Sequence, residues 1–329
     1  MQKSTVTASA DIALVKYWGK KDAVLRLPEN GSLSIILNGL DTTTTVAFQD
    51  EFESDSVTIG SVELAAGGVE AGRVSKQLDR VRKIVGVTTR AKVVSHNSFP
   101  KATGLSSSGS GMAALTVAAV NVIGLQLSQK ELSILARQGS GTACRCICDG
   151  FVEWLDGDFS DTSYSQTIFP TNHWDIRDVI AVVSEDMKKV SSTEGHATAG
   201  SSPFFLVRQQ RIAKKIDAVK EALAAKDFTA LGSIVEAEAL EFHTILLTST
   251  PPLVLWYPGT MQVMQAVEQL RREGIECYYT INTGFNIHVL TLPEFEKSVR
   301  ERLNSLSLVT NTLLAKVGDG PREISEHLF

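Results

Sequence analysis

The chain has 329 residues, a length that suits one large domain or two packed ones, and 43% of them are hydrophobic, as in ordinary globular proteins. Its net charge of −5 excludes a general positive field that would attract nucleic acid or an acidic membrane, so local cations and backbone amides must hold any anionic ligand. No signal-peptide pattern and no apolar run long enough to span a bilayer is evident, which predicts a cytoplasmic protein whose four cysteines are reduced.

Strand-like and helix-like patterns alternate irregularly along the chain. The predicted strands are residues 33–37, 42–48, 56–59, 62–64, 91–95, 150–155, 179–183, 276–281 and 287–291. The predicted helices are residues 71–85, 110–125, 129–138, 204–225, 228–247 and 259–273. The turn pairs Asn38-Gly39 and Gly60-Ser61 each predict a hairpin. This order is typical of an α+β fold and not of a doubly wound sheet, with a domain boundary near residues 184–190.

The segment Gly104–Gly111 consists of small residues and precedes a strong helical pattern. Small residues let the backbone curl around an anion, and the free amides at a helix start point towards it. Serine hydroxyls in the segment can add hydrogen bonds or hold Mg²⁺. It is not a P-loop, because no Gly-Lys-Ser/Thr closes it, and a segment of this kind is by itself more often a plain turn.

Three other segments combine cations with hydroxyls or aromatic rings: 16–20, 139–145 and 188–193. A solvated surface turn or an ordinary capped turn would explain any one of them. Four such segments in an acidic protein favour the binding of phosphates.

Together these segments resemble the mevalonate diphosphate decarboxylase family of the GHMP kinase superfamily. Residues 10–20, Ala-Asp-Ile-Ala-Leu-Val-Lys-Tyr-Trp-Gly-Lys, are similar to the N-terminal signature of that family. Further similar blocks follow in order and cover nearly the whole chain: 27–34, 97–111, 139–154, 191–193 and 279–286.

The resemblance implies a two-domain GHMP-kinase-like α+β fold. Residues 1–186 would form an ATP-binding domain of the S5 domain 2 type, and residues 187–329 a ferredoxin-like domain. ATP, with Mg²⁺, would phosphorylate the 3-hydroxyl of a 5-phosphorylated mevalonate, and phosphate and CO₂ would then leave to give an isopentenyl phosphate or diphosphate. The family is commonly homodimeric.

The resemblance also implies roles for particular residues. Lys16 and position 282 would be catalytic. The cofactor-binding residues would be Gly104, Ser106, Ser107, Ser108 and Gly109. The substrate-binding residues would be Tyr17, Lys20, Lys76, Ser140, Thr142, Arg145, Ser192 and His196. Arg145 is expected to grip the substrate carboxylate with its forked guanidinium.

The sequence departs from the family at position 282, where Asn282 replaces the usual catalytic aspartate. An amide does not accept the proton of the 3-hydroxyl as a carboxylate does. Three explanations compete: an engineered variant that traps substrate, a natural enzyme with altered chemistry, or a chain that has lost activity. The intact remainder of the site favours the first.

Other departures are Asp11 in place of Asn, His196 in place of an apolar residue and Phe285 in place of Pro. A histidine near a phosphate can donate as a cation, although an exposed polar residue is an equally good interpretation. These changes favour mevalonate 5-phosphate slightly over the 5-diphosphate.

Several alternatives stay open. Cys144, Cys146 and Cys148 are too closely spaced for a usual metal site, and buried thiols are expected instead. Glu238, Glu241 and His243 are expected on a packed or solvated helix face. The main alternative functions are a small-molecule kinase that stops after phosphorylation and a non-catalytic ligand-binding homologue.

Overall fold

A computed structural model describes residues 2–99, 105–186 and 192–329, with the backbone alone for residues 192 and 193. Its strands are β1 Lys3–Val15, β2 Lys20–Asp22, β3 Leu27–Pro28, β4 Ser32–Gln49, β5 Ser56–Ile59, β6 Val62–Glu63, β7 Arg90–Asn97, β8 Phe151–Trp154, β9 Ser165–Phe169, β10 Arg177–Val182, β11 Cys277–Thr280, β12 Ile287–Thr291, β13 Asn311–Val317 and β14 Arg322–Ile324. Its α-helices are α1 Val69–Val85, α2 Ser107–Val122, α3 Gln129–Gly139, α4 Ser192–Ala197, α5 Phe205–Ala225, α6 Phe228–Thr248, α7 Pro258–Arg272 and α8 Glu296–Asn304. Two 3₁₀ helices span Gly141–Ile147 and Ala199–Ser201.

Most strands join one mixed sheet in the order β11-β12-β10-β13-β4-β7-β5-β6, with β1, β14, β8 and β9 branching from it. The long strand β4 is the hub, because it pairs antiparallel with β1, β7, β8 and β13. The α+β prediction is confirmed at the level of a mixed α/β fold.

The hairpin predicted at Asn38-Gly39 is wrong. Strand β4 runs straight through this pair, and its register against β1 shifts there, with Ala10 opposite Leu37 but Ser9 opposite Asp41. Gly39 adopts φ +109°, a conformation that suits a bulge as well as a turn, so the same residue signal has a different structural outcome. The Gly60-Ser61 hairpin is confirmed, since β5 and β6 pair antiparallel across it.

Capping residues explain where three of the helices begin or end. Helix α1 ends at Gly86, which adopts φ +74° and donates its N–H to the carbonyl of Arg82. Helix α3 begins with a capping box between Ser128 and Glu131. Asp227 caps α6 by accepting from the N–H of Ala230.

Two core clusters meet along β1. The N-terminal part of β1 packs with α1, α2 and α3 in one cluster, while Ile12 and Leu14 near its C-terminal end pack with Val219 of α5 and Leu231 of α6 in another. The residues that follow β1 therefore lie where the two halves of the chain join. Strand β10 lies before the predicted boundary at residue 186, yet it pairs with β12 and β13 of the second half.

In the part of the chain that the structure describes, no helix has the length and apolar character needed to cross a membrane.

Candidate active site

A cavity of about 510 Å³ lies between the end of β1, the start of α2 and the 3₁₀ helix Gly141–Ile147. It brings together most of the predicted site residues, although they come from distant parts of the sequence. Those that line it are Lys16, Tyr17, Lys20, Ser106, Ser107, Ser108, Ser140, Thr142, Arg145, His196 and Asn282.

Four predicted site residues are not among the lining residues. Lys76 is exposed on α1, whereas Arg73, one turn earlier on the same helix, lines the cavity. Gly109 lies just behind the lining residues, where a Cβ would be 2.8 Å from Thr142 Oγ1. Gly104 and the Ser192 side chain lie outside the described part of the chain.

Lys16 follows the last residue of β1 and is only 3% exposed. Its Nζ donates to the carbonyl oxygen of Ala13 and to Oγ1 of Thr280. Burial lowers the pKa of Lys16 to about 7, because a buried ammonium loses its hydration; Glu238 opposes the shift. An amine with this pKa can change protonation state near neutral pH.

Three aromatic rings stack beside Lys16. The ring of His196 lies between those of Tyr17 and Trp18, with centroids 4.4 and 4.1 Å away. Nδ1 of His196 accepts a hydrogen bond of 3.1 Å from the Gly19 N–H, so this nitrogen carries no proton. The ring is therefore packed between two aromatic side chains, with Nδ1 as a hydrogen-bond acceptor.

Arg145 lines the cavity, but its guanidinium group is already hydrogen-bonded to Asp11. Nε and Nη2 donate to Asp11 Oδ2 at 2.8 and 2.7 Å, and Nη1 donates to Ser32 Oγ at 2.7 Å. Asp11 also accepts from Ser34 Oγ at 2.8 Å, and both charged side chains are buried. A buried carboxylate thus offsets the charge of Arg145, which weakens its electrostatic pull on a second carboxylate.

Hydroxyl groups line the start of α2. Ser106 occupies the N-cap position with φ +57°, a left-handed conformation that is costly for a residue other than glycine. No acidic side chain lies in the first turn of α2, so the helix itself does not offset the positive end of its dipole. Ser140 Oγ donates to Ser108 Oγ at 3.4 Å, which ties the helix start to the segment that leads into the 3₁₀ helix.

Asn282 lies on the cavity wall after β11. Nε2 of His243 donates to its backbone oxygen at 3.1 Å. Burial lowers the pKa of His243 to about 3, so this donor is a neutral imidazole. The backbone at position 282 is thereby anchored to α6.

Two cations on the cavity wall, Arg26 and Arg73, were not predicted from the sequence. Burial, together with the charges of Arg26 and Arg73, lowers the pKa of Lys20 to about 8. The helical spacing of α1 was the available signal for Arg73, because it places residues 73 and 76 on neighbouring positions of one face.

An apolar wall also went unassigned. It is formed by Val57, Ile59, Val74, Val93, Leu105, Met112 and Leu115. Polar side chains of Thr44, Ser95 and Asn97 border this wall. The apolar residues come from two strands, β5 and β7, and from two helices or their flanks, and nothing in the local sequence pattern links them.

The cysteines are free and buried, as predicted. Burial raises the pKa of Cys144 to about 12, so it stays a neutral thiol. Glu238 is paired with Arg208 and Lys215 on a packed face of α6. Over the described ranges, no group of three or more His, Cys, Asp or Glu side chains is arranged to hold a metal ion.

Two family models match the chain. Residues 8–165 match the diphosphomevalonate decarboxylase-like N-terminal domain, and residues 178–320 match the mevalonate 5-diphosphate decarboxylase C-terminal domain. The chain belongs to the mevalonate diphosphate decarboxylase family. The family resemblance of the sequence is therefore confirmed, and the two matches fit a two-domain layout.

Curated relatives of this family match over the full length. The diphosphomevalonate decarboxylase of Candida albicans is 31% identical, with 100% of this chain and 99% of that protein covered. The phosphomevalonate decarboxylase of Haloferax volcanii is 32% identical, with 99% of this chain and 100% of that protein covered.

Solved structures of the family are also similar. Mevalonate diphosphate decarboxylase from Staphylococcus aureus has a TM-score of 0.93 at 33% identity and covers 98% of each chain. A structure described as MDDEF in complex with MVAPP, AMPPCP and magnesium has a TM-score of 0.92 at 35% identity and covers 99% of each chain.

Proposed function

We propose that the chain is an ATP-dependent decarboxylase of a 5-phosphorylated mevalonate. The observation that carries this proposal is the single cavity in which Lys16, the start of α2 and the Arg145 guanidinium meet. Family membership and a similar structure with MVAPP and AMPPCP support it.

The nucleotide would lie across the apolar wall and the start of α2. The wall suits a purine ring, and its polar border offers hydrogen bonds to the ring edge. Ser106, Ser107 and Ser108, together with the amides of α2, suit the phosphates. The donor set fits Mg²⁺ as a nucleotide-bound ion held by these hydroxyls and phosphate oxygens. The ion would supply charge neutralisation on the transferring phosphoryl group.

The number of phosphates on the substrate is the finer part of the proposal. The sequence favours the 5-phosphate partly through His196, whose ring is packed between Tyr17 and Trp18 and whose Nδ1 accepts from the Gly19 N–H. Three cations, Lys20, Arg26 and Arg73, line the cavity and suit the higher charge of a diphosphate. The 5-diphosphate is therefore the substrate that the geometry supports best, with the 5-phosphate as the second candidate. Comparing kcat/KM on the two decides it, and a preference for the 5-phosphate would reverse this choice.

The reaction consists of two steps. The 3-hydroxyl loses its proton as its oxygen bonds to the γ-phosphorus of ATP, and ADP leaves. The C3–O bond then breaks with release of phosphate, while the C1–C2 electron pair forms the C2=C3 double bond and the carboxyl group leaves as CO₂. The weakened pull of Arg145 on the carboxylate favours the second step, because that carboxylate must lose its charge.

Lys16 accepts the hydroxyl proton in this scheme. Asn282 is an amide with no basic site, whereas Lys16 lies on the same wall and is partly neutral at physiological pH. This supports the second of the three explanations for Asn282, a catalyst with altered chemistry.

The role of Lys16 is tested by kcat as a function of pH in the parent chain and in Lys16→Met. We expect kcat of the parent to rise with pH and to level off above about 7, where the amine is neutral. Lys16→Met should lose at least about 10²-fold in kcat. A variant that keeps both the rate and the acid limb would contradict the assignment.

The kinase alternative predicts ADP without CO₂, and the ligand-binding alternative predicts neither product. The homodimer and the cytoplasmic location stay predictions of the sequence. Light scattering of the purified protein tests the first of them.

A further inference from the structure

Two fully buried side chains from the second half of the chain hold the backbone of Lys16. Glu238 Oε1 on α6 accepts from the Lys16 N–H at 3.0 Å. Nη2 of Arg208 on α5 donates to the Lys16 carbonyl oxygen at 2.9 Å. Asn30 Nδ2 adds a second bond to this oxygen at 3.0 Å. Both polar backbone groups of the residue are therefore fixed.

Glu238 and Arg208 also bind one another through two contacts. Nη2 of Arg208 lies 2.6 Å from Glu238 Oε1, and Nη1 lies 2.9 Å from Oε2. Both side chains have 0% exposure, and Lys215 adds a contact of 2.7 Å to Oε2. Within the described residues, Arg208 Nε is buried without a hydrogen-bond partner.

Such a pair is a poor way to stabilise a fold. The desolvation of two buried charges offsets most of their attraction, and apolar residues of similar volume often serve as well or better. An unsatisfied guanidinium nitrogen adds a further cost. The pair is therefore not explained by a gain in stability. Its contacts to the backbone of Lys16 explain it better.

We propose that the Glu238–Arg208 pair is a positioning device for Lys16, because it fixes both the N–H and the carbonyl group of this residue. The inference rests on the proposed role of Lys16 as proton acceptor. Helices α5 and α6 of the second half of the chain would then position the proposed proton acceptor, which lies in the first half.

The charges around Lys16 predict the direction in which each substitution would shift its pKa. Glu238 on α6 raises the pKa of Lys16, while Arg208 on α5 lowers it. Asp11 on β1 raises it and Arg145 on the 3₁₀ helix lowers it. His243, also on α6, faces the amine as a neutral ring. Removing Glu238 and removing Arg208 should therefore move the pKa of Lys16 in opposite directions.

The test is an NMR titration of ¹⁵N-labelled lysine Nζ in the full chain, for Glu238→Gln and Arg208→Gln. We expect the pKa of Lys16 to fall in the first variant and to rise in the second, each by about one unit. Glu236→Gln is the matched control, because Glu236 lies on the same helix but pairs with Arg271. It should leave the titration unchanged. Shifts that are absent or of the same sign in both variants would overturn the inference.

Kinetics separate this inference from the proposed function. The acid limb of kcat should follow the pKa of Lys16 in both variants. If the pKa moves as expected while the limb stays, the pair positions Lys16 but Lys16 is not the proton acceptor.

A double variant guards against misfolding of the single ones. Glu238→Leu with Arg208→Met replaces the pair by apolar side chains of similar size and leaves no unpaired charge. We expect it to fold and to lose at least about 10-fold in kcat, with a smaller change in KM for ATP, because the backbone of Lys16 is no longer held. An unchanged kcat would show that the pair has only a structural role.

Discussion

In the proposed scheme Lys16, and not Asn282, removes the proton of the 3-hydroxyl. Asn282 offers a carbonyl oxygen and an amide, neither of which is a base at neutral pH. Lys16 is buried beside it, and its lowered pKa leaves a free amine for part of the population. The pKa of the base therefore sets the lowest pH at which the enzyme keeps its activity.

Asn282→Asp should therefore raise kcat by about 10²-fold or more, because it adds a carboxylate base to the same wall. It should also move the acid limb of kcat to lower pH, since a carboxylate stays ionised where an amine is protonated. Steady-state rates across pH measure both effects, with Asn282→Ala as a control that adds no base. Turnover unchanged by the aspartate would contradict a role of position 282 in proton transfer.

Asp11 offsets the charge of Arg145, the residue that would lie next to the substrate carboxylate in the proposed function. In Asp11→Asn the buried guanidinium loses its counter-charge, so we expect KM for the mevalonate substrate and kcat to fall together, each by about 10-fold. The unliganded variant should also lose about 3 kcal/mol of unfolding free energy. Steady-state kinetics and denaturant titration measure these effects.

Asp178→Asn is the matched control, because Asp178 is an equally buried carboxylate that pairs with His288 on the strand pair β10–β12. It should leave KM unchanged. A raised KM in Asp11→Asn would mean that Asp11 strengthens the grip of Arg145 and does not weaken it.

At the scale of elements, the site depends on how closely α2 approaches the 3₁₀ helix Gly141–Ile147. Gly109 marks the contact, because a Cβ there would be 2.8 Å from Thr142 Oγ1 and 3.2 Å from Cys146 Sγ. The glycine is needed for this approach and not for its backbone conformation. The approach brings the serines of α2 close to Ser140 and Thr142.

Gly109→Ala should push these elements apart and lower kcat/KM for ATP by about 10-fold or more. Gly72→Ala on α1 is the control, because Gly72 is not among the residues that line the cavity and its Cβ would meet no neighbouring element of the described chain within 4 Å. That variant should keep its activity and gain about 0.5–1 kcal/mol of stability from the better helix former. Equal losses in both variants would mean that the close contact is irrelevant.

The elements also separate what local sequence predicts from what it does not. Helical spacing and turn residues predict the main helices and the β5–β6 hairpin, because their causes lie within a few residues. The Asn38-Gly39 hairpin failed because a bulge in a long strand uses the same glycine conformation. Strand β13 was missed, although it pairs with both β10 and β4, because its partners are far away in sequence.

The same division holds for the site. Motif resemblance predicts the residues of contiguous blocks, such as Lys16 and Asn282. It does not reveal that Asp11 occupies the fork of Arg145, since that depends on burial and side-chain direction. The assignment of Lys76 followed a loosely matched helix, whereas the structure brings Arg73 to the cavity. The roles of Glu238 and Arg208 depend on contacts between the two halves.

At the scale of the whole molecule, two buried groups make the fold sensitive to acid. His243 has a folded pKa of about 3, below its ordinary value of 6.5, so the unfolded chain binds its proton first. Glu238 has a pKa of about 2, below its ordinary value of 4.5, because Arg208 and Lys215 hold it ionised. Stability from His243 is lost as pH falls below 6.5, and that from Glu238 as pH falls from 4.5 towards 2.

The unfolding free energy should therefore decline by about 2 kcal/mol between pH 6.5 and pH 5 through His243 alone. His243→Gln keeps a donor for the Asn282 carbonyl but does not titrate, so it should flatten the decline in this window. Denaturant titrations at several pH values measure it. His173→Gln, at a half-buried histidine far from Asn282 in sequence, is the control. A decline of equal slope in His243→Gln would contradict the burial argument.

The most direct test of the account follows both products of one reaction. The protein is incubated with ATP, Mg²⁺ and mevalonate 5-diphosphate labelled with ¹³C at C1, and ADP and ¹³CO₂ are measured together. We expect one ¹³CO₂ for each ADP, at a rate that rises with pH as Lys16 loses its proton. ADP without ¹³CO₂, or no turnover at any pH, would contradict it.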